Sequence, residues 1–352
     1  MAVFDYAASP RRPGHITVRS RFVALRVNYR VLLFALIASV LLLLLATYAM
    51  TLGSYSIPFS GVVKAVVGQG DPERLTVVRT LRLPRVICAI LIGAALAMSG
   101  SIFQGLVRNP LVSPDVIGIS EGAGLFAVFW IVTGFDLALL PAAAFAGAAL
   151  TAMAIYVLTW KGGISPNRLI LVGIGIGAML RAGTNYLSVR YPVEQVRPAV
   201  VWQMGSIYGS DWGDVKLLTG LLLVIAPIAV ALTWQLRALQ LGDGVARSLG
   251  LPLERARLGL IVSACALAAV AVALAGPIGF VALMVPHIAR MLAGPLSGSV
   301  MIFTGVLGAL FLLGADMIAQ HALPVSLPVG VVTGAVGAPY FLFLLYRANV
   351  RV

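Results

Sequence analysis

The stretch LGLIVSACALAAVAVALAGPIGFVALMVPHIA, residues 258–289, carries no charged side chain. A helix crossing the roughly 30 Å hydrocarbon core of a bilayer needs about 20 apolar residues. The stretch is too long for one crossing and too apolar to face water. Gly276-Pro277 stands in its middle. Glycine accommodates the left-handed turn that closes a helix, and proline brings no N–H to continue one. Two helices are therefore predicted, a full span and then a short one.

Working outward, uncharged runs of spanning length recur near 31–50, 86–107, 137–160, 217–236, 291–315 and 317–346. Two weaker segments complete the pattern: 116–135, with Glu121 inside it, and 169–189, interrupted by Arg181. The total is about ten spans. The whole chain is 60% hydrophobic and 11% charged, where a soluble domain carries about 25% charged residues. The fold class is an all-α polytopic membrane protein. Its organisation reads as a basic tail over 1–30, one transmembrane domain over 31–347 and a short tail over 348–352.

Lysine and arginine collect in cytoplasmic loops. The tail holds Arg11, Arg12, Arg19, Arg21, Arg26 and Arg30, and loops on the same side of a ten-span chain hold Arg108, Lys161, Arg168, Arg237, Arg247, Arg255, Arg257 and Arg290. The other side has fewer, among them Lys64, Arg74, Arg79, Arg82 and Arg85. Both termini are therefore expected in the cytoplasm. The same bias accounts for the net charge of +13. Nucleic acid is not the expected partner, because no basic stretch is interleaved with stacking aromatics.

The chain has no phosphate-binding GxxxxGK[ST] loop, no HExxH and no GxSxG. It offers no ATP site or catalytic site of its own. Cys88 and Cys265 lie in apolar runs, and His15, His287 and His321 are scattered, so neither a disulfide nor a metal set is read. Acids at membrane depth reduce to Asp316, near the end of one span, and Glu121, at the start of another. Proton-coupled carriers need more such groups. Transport powered from elsewhere is favoured over an ion-coupled secondary transporter, and a membrane enzyme over neither.

Four segments break the apolar pattern. Leu81-Arg82-Leu83-Pro84-Arg85 puts proline in a first helical turn and two arginines at i and i+3 on one face, either snorkelling or awaiting carboxylates outside. Residues 108–115, RNPLVSPD, contain Asn109, Pro110 and Pro114, which forbid a continuous helix and point to a rigid turn by an inner gate. Residues 240–257, QLGDGVARSLGLPLERAR, form a polar cytoplasmic stretch. There Asp243 is expected to cap a short helix over 245–249 and Gly250 to end it. The fourth runs from Gly276-Pro277 to Pro286-His287, a short broken segment of the kind that lines a pathway. Arg181 is expected to face that pathway or to pack in the bundle.

Taken in order, LRLPR (81–85), GAALAMSGSIFQ (93–104), RNPL (108–111), ARSLG (246–250), GPIGFVALMVPHIAR (276–290), GAD (314–316) and LPVGVVTGAVGAP (327–339) resemble the FecCD-type permeases. The resemblance covers about 56–346. It implies a type II ABC importer (BtuC-like) permease in a bacterial inner membrane, moving a ferric siderophore, the alternative cargoes being haem and vitamin B12. It implies a second, related permease, two cytoplasmic ABC ATPases that use ATP and magnesium, and a periplasmic binding protein, with no cofactor on this chain. A catecholate of the enterobactin kind is the implied cargo. Arg82 and Arg85 match docking arginines for the binding protein. Gln320 stands where some members have another arginine, which points to a heterodimer. Asp243, Ala246, Arg247, Leu249, Gly250, Leu251 and Arg255 match the segment that couples to the ATPase.

Overall fold

Apolar side chains on nearly every helix leave the backbone to satisfy its own hydrogen bonds, and the chain does so as a helix bundle. The computed structural model describes residues 15–19, 24–161 and 163–349, with side chains over 29–161 and 163–346. Most of the tail expected over 1–30, and residues 350–352, lie outside that description. Two short strands, β1 (His15–Arg19) and β2 (Ala24–Asn28), pair antiparallel. Helices follow: α1 (Tyr29–Ala49), α2 (Phe59–Val66), α3 (Pro72–Thr76), α4 (Leu83–Val107), α5 (Ile119–Val132), α6 (Leu140–Thr159), α7 (Pro166–Arg190) and α8 (Val193–Gln203). Then come α9 (Trp212–Ala231), α10 (Thr233–Gln240), α11 (Asp243–Ser248), α12 (Leu253–Ala275), α13 (Val281–Ala293), α14 (Gly298–His321) and α15 (Val329–Asn349). Among the described residues, 8 helices are long and apolar enough to span a membrane, and α5 and α13 are shorter apolar helices beside them. Together they make up the expected set.

The predicted break lies where the sequence put it. α12 stops at Ala275, and Gly276 turns out of the helix at φ 69°. Ser206 N donates to the freed Ala275 carbonyl at 2.7 Å. The short helix α13 then starts at Val281 after Phe280, itself at φ 67°.

α4 is the axis of the bundle. Some 78% of its most apolar window is buried, against 17% for α1. It packs on α14 so closely that a Cβ added at Gly93 would lie 2.3 Å from the Gly308 carbonyl oxygen. Small residues let two backbones touch in this way, which replaces the hydrophobic drive that lipid does not provide.

Two expectations need correction. The sequence divides the last two spans at Asp316, as 291–315 and 317–346. They run instead as α14 and α15, with Asp316 buried inside α14. A charge is tolerated inside a span where it is paired, and this one has partners. Pro84 does lie in the first turn of α4, but the chain is already helical before it, through a π segment, Val77–Arg82.

Candidate translocation and coupling sites

At the end of the bundle where α4 begins, Arg82 and Arg85 part company. Arg82 Nη1 donates to Met50 O and Nη2 to Tyr55 O, each at 2.6 Å, tying the exit of α1 to α4. Arg85 grips Asp316 with two bonds, Nε to Oδ2 at 3.0 Å and Nη2 to Oδ1 at 2.8 Å. Gln320 Nε2 adds a third bond to the same carboxylate at 2.7 Å. The Asp316 side chain is 3% exposed, and removing one partner of such a buried pair costs about 3–5 kcal/mol. Arg82 and Arg85, expected together on one face, thus hold separate partners. Gln320 joins the Arg85 cluster from α14. The Arg85 guanidinium also sits 5.9 Å from the centre of the exposed Tyr208 ring.

Where α4 ends, Arg108 adopts the left-handed conformation at φ 56° and donates to Leu239 O on α10. Asn109 Oδ1 accepts from Leu111 N at 2.9 Å, which fixes the turn that Pro110 and the buried Pro114 enforce. Asp115 follows, accepting from the Ser120 hydroxyl in the first turn of α5. Burial pushes its carboxyl up to about 6, with the Glu121 charge adding to the effect and the Ser120 bond opposing it.

Residues 240–257 fold into the short helix α11, with one correction. The N-cap is Gly242, and Asp243 is already helical. Its carboxylate accepts two bonds from Arg257 Nη2, both at 2.8 Å, and that competitor explains why it does not cap. Gly250 ends the helix at φ 78°, with Leu251 N bonded back to Ala246 O at 3.1 Å. Ala246 and Leu251 are buried anchors, while Arg247, Leu249 and Arg255 are exposed.

The middle of the bundle holds the broken segment. Pro286 has no N–H, so the Ala282 carbonyl one turn earlier loses its donor. Gln104 Nε2 of α4 takes its place, donating to Ala282 O at 3.3 Å and Leu283 O at 2.9 Å. Arg290 in turn donates to Gln104 Oε1. His287 meets the Tyr340 ring edge-on, at 6.3 Å between centroids. Gln104 was invisible as a functional residue in the sequence, because its role exists only against a proline far along the chain.

Arg181 lies on α7, paired with Glu121 of α5, and its side chain is 66% exposed. At about 1.5 Å per residue it sits about 5 Å from the helix midpoint and about 13 Å from the Arg190 end. That is too deep to reach headgroups. The pair shares an exposed stripe with Gly175, Ala178, Ala182 and Asn185. The opposite stripe, Gly173 and Gly177, packs on Ile117 and Gly118.

A bundle of this form is found in a solved ABC transporter of the metal-chelate type in an inward-facing conformation, with TM-score 0.81, 31% identity, and 89% of this chain and 98% of that one covered. The fold and its sites thus define a multi-span permease subunit of an ABC importer. Residues 41–347 match the FecCD transport family, and the chain belongs to it. Among its relatives, the Fe(3+)-citrate import system permease protein YfmE of Bacillus subtilis is 42% identical over 91% of this chain and 96% of its own. The ferric enterobactin transport system permease protein FepG of Escherichia coli is 40% identical over 84% of this chain and 90% of its own.

Proposed function

We propose that the chain imports an anionic ferric chelate, of the catecholate or citrate kind, with energy from a separate ATPase that uses ATP and magnesium. The exposed stripe of α7 carries this reading. A charge near the bilayer midplane faces a partner or a water-filled space rather than lipid, and small residues beside it leave room. Arg181 supplies the attraction for an anion, and Glu121 holds the guanidinium in place until the cargo arrives. Relatives whose names specify Fe(3+)-citrate and ferric enterobactin support the cargo class.

In this reading the 240–257 end is cytoplasmic and receives the ATPase on α11, with Arg247, Leu249 and Arg255 presented to it. Asn109, Pro110 and Pro114 stiffen the inner gate, and the Gly276-Pro277 break with Pro286 and His287 gives the pathway its short helix. A periplasmic binding protein docks at the opposite end around Arg82, Arg85 and Gln320. A second, related permease completes the passage, and the whole sits in the bacterial inner membrane.

The test is uptake of radioiron chelates into proteoliposomes holding the complex purified from its native membrane. ATP-dependent uptake of ferric citrate or a ferric catecholate, well above that of a neutral ferric hydroxamate, is expected. Uptake by the chain alone, driven by an ion gradient, would contradict the proposal. Preferred uptake of cobalamin would overturn the cargo assignment alone.

A further inference from the structure

At the 240–257 end, α11, α12 and the turn into α7 meet on a continuous polar chain. Asp243 of α11 binds the Arg257 guanidinium on α12 through two bonds at 2.8 Å. The other side of that guanidinium donates from Nη1 to Glu254 Oε1 at 3.2 Å. Glu254 Oε2 then accepts the Ile164 backbone N–H at 3.1 Å. Ile164 lies in the turn leading into α7, two residues before its first helical residue, Pro166. Arg168 closes the turn from within by donating to Gly163 O at 2.8 Å.

The approach of Glu254 depends on Gly163. Its φ is 136°, and a Cβ there would lie 2.8 Å from Glu254 Oε1. Between the foot of α7 and the end of α4 lies a cavity of about 320 Å³, bordered by Val107, Arg108, Pro166, Asp243 and Arg257. α7 is thus held at its foot from the side of α12 and has open space on the side of α4. The Arg257 side chain is only 13% exposed while Asp243 is 50% exposed, so the guanidinium is covered and the carboxylate it holds stays at the surface. Its neighbour Arg255, which the sequence pointed to for coupling, is exposed and takes part in none of these bonds.

We infer that Arg257, with Asp243 and Glu254, is the joint through which movement of α11 is carried to the foot of α7. This rests on the proposed function, in which α11 meets the ATPase and α7 lines the passage. A displacement of α11 drags Asp243, rotates the guanidinium and shifts Glu254 together with the Ile164 N–H it holds. The foot of α7 moves into the cavity beside it. Arg257 is a positioning residue in this scheme, acting on the passage through α7.

Two measurements test it. In proteoliposomes holding the full complex, Arg257→Gln is expected to cut chelate imported per ATP hydrolysed by about tenfold or more, with hydrolysis itself within about twofold of wild type. Arg257→Lys, which keeps a cation between the two carboxylates, restores much of that ratio. Equal loss of import and hydrolysis, or no change in either, would overturn the joint, as would an assembled Arg257→Lys complex as uncoupled as Arg257→Gln. In the second, spin labels at Ser248 and Asn167, both exposed on this chain, report the α11 to α7 distance in the complex after Cys88 and Cys265 are replaced. A broader distance distribution in Arg257→Gln than in wild type is expected, and identical distributions would sink the joint. A wild-type complex without ATP-linked import would instead contradict the importer reading, and the label distances would still judge the joint.

Discussion

α1 and α7 are equally bare helices with opposite surfaces. In the most apolar window of each, only 17% and 22% of the residues are buried. The exposed side of α1 is Leu32, Leu33, Leu36, Ile37, Val40, Leu41 and Leu44, which is what lipid tails accept at no cost. The exposed side of α7 interrupts Leu171, Ile174 and Met179 with Gly175, Ala178, Arg181, Ala182 and Asn185. Exposure alone therefore does not identify a lipid face. Residue chemistry does: bulky aliphatics belong against lipid, and small or charged residues at the same depth belong against a partner or water.

The largest effect that could break this contrast comes from moving the charge. Leu36→Arg on α1 should cost about 3 kcal/mol of membrane insertion, read as a collapse in the amount of folded chain recovered from membranes. Ala178→Arg on α7 should be recovered near the wild-type level. Equal recovery of the two would erase the distinction. Next in size, Arg181→Met should lower import of an anionic ferric chelate by about tenfold, a coupling of ordinary strength, while import of a neutral one changes little. Kinetics on both chelates in proteoliposomes check this.

A smaller effect is expected at Gly175, where an added Cβ meets nothing within 4 Å. Gly175→Leu should leave the thermal stability of the chain unchanged and slow import several-fold, about 1 kcal/mol in barrier, because the space it fills is passage and not core. The smallest concerns the loop that supports α7. Asp115 has a carboxyl raised to about 6, chiefly by burial. With a folded value above the unfolded one, its contribution is most favourable below about pH 4 and is lost as pH rises through 6. Asp115→Asn should raise the melting temperature at pH 8 and less so at pH 5, as a thermal shift series would show.

Much of this architecture could be read from the sequence where a residue acts through its own backbone. Gly276-Pro277 and the prolines at 110 and 114 limit their own backbone, and the structure breaks there. Residues that act through a distant partner were not legible. Asp316 looked like the boundary of a span because Arg85 lies 231 residues away. Arg255 looked as good as Arg257 because sequence spacing did not reveal which of them faces Asp243. Gln104 gave no sign of its task, since the carbonyl it serves is orphaned by Pro286 on another helix. The α7 stripe lay between these cases, with Arg181 noticed at once and its face left open until the fold exposed it.

The central claim is that the exposed face of α7 borders water while that of α1 borders lipid. Single cysteines at Ala178 and Val40, placed in a background lacking Cys88 and Cys265, test it with a charged, membrane-impermeant thiol reagent applied to the complex in open membranes. The account predicts rapid labelling at position 178 and almost none at position 40. An inert cysteine at 178, or equal labelling at both positions, would contradict it.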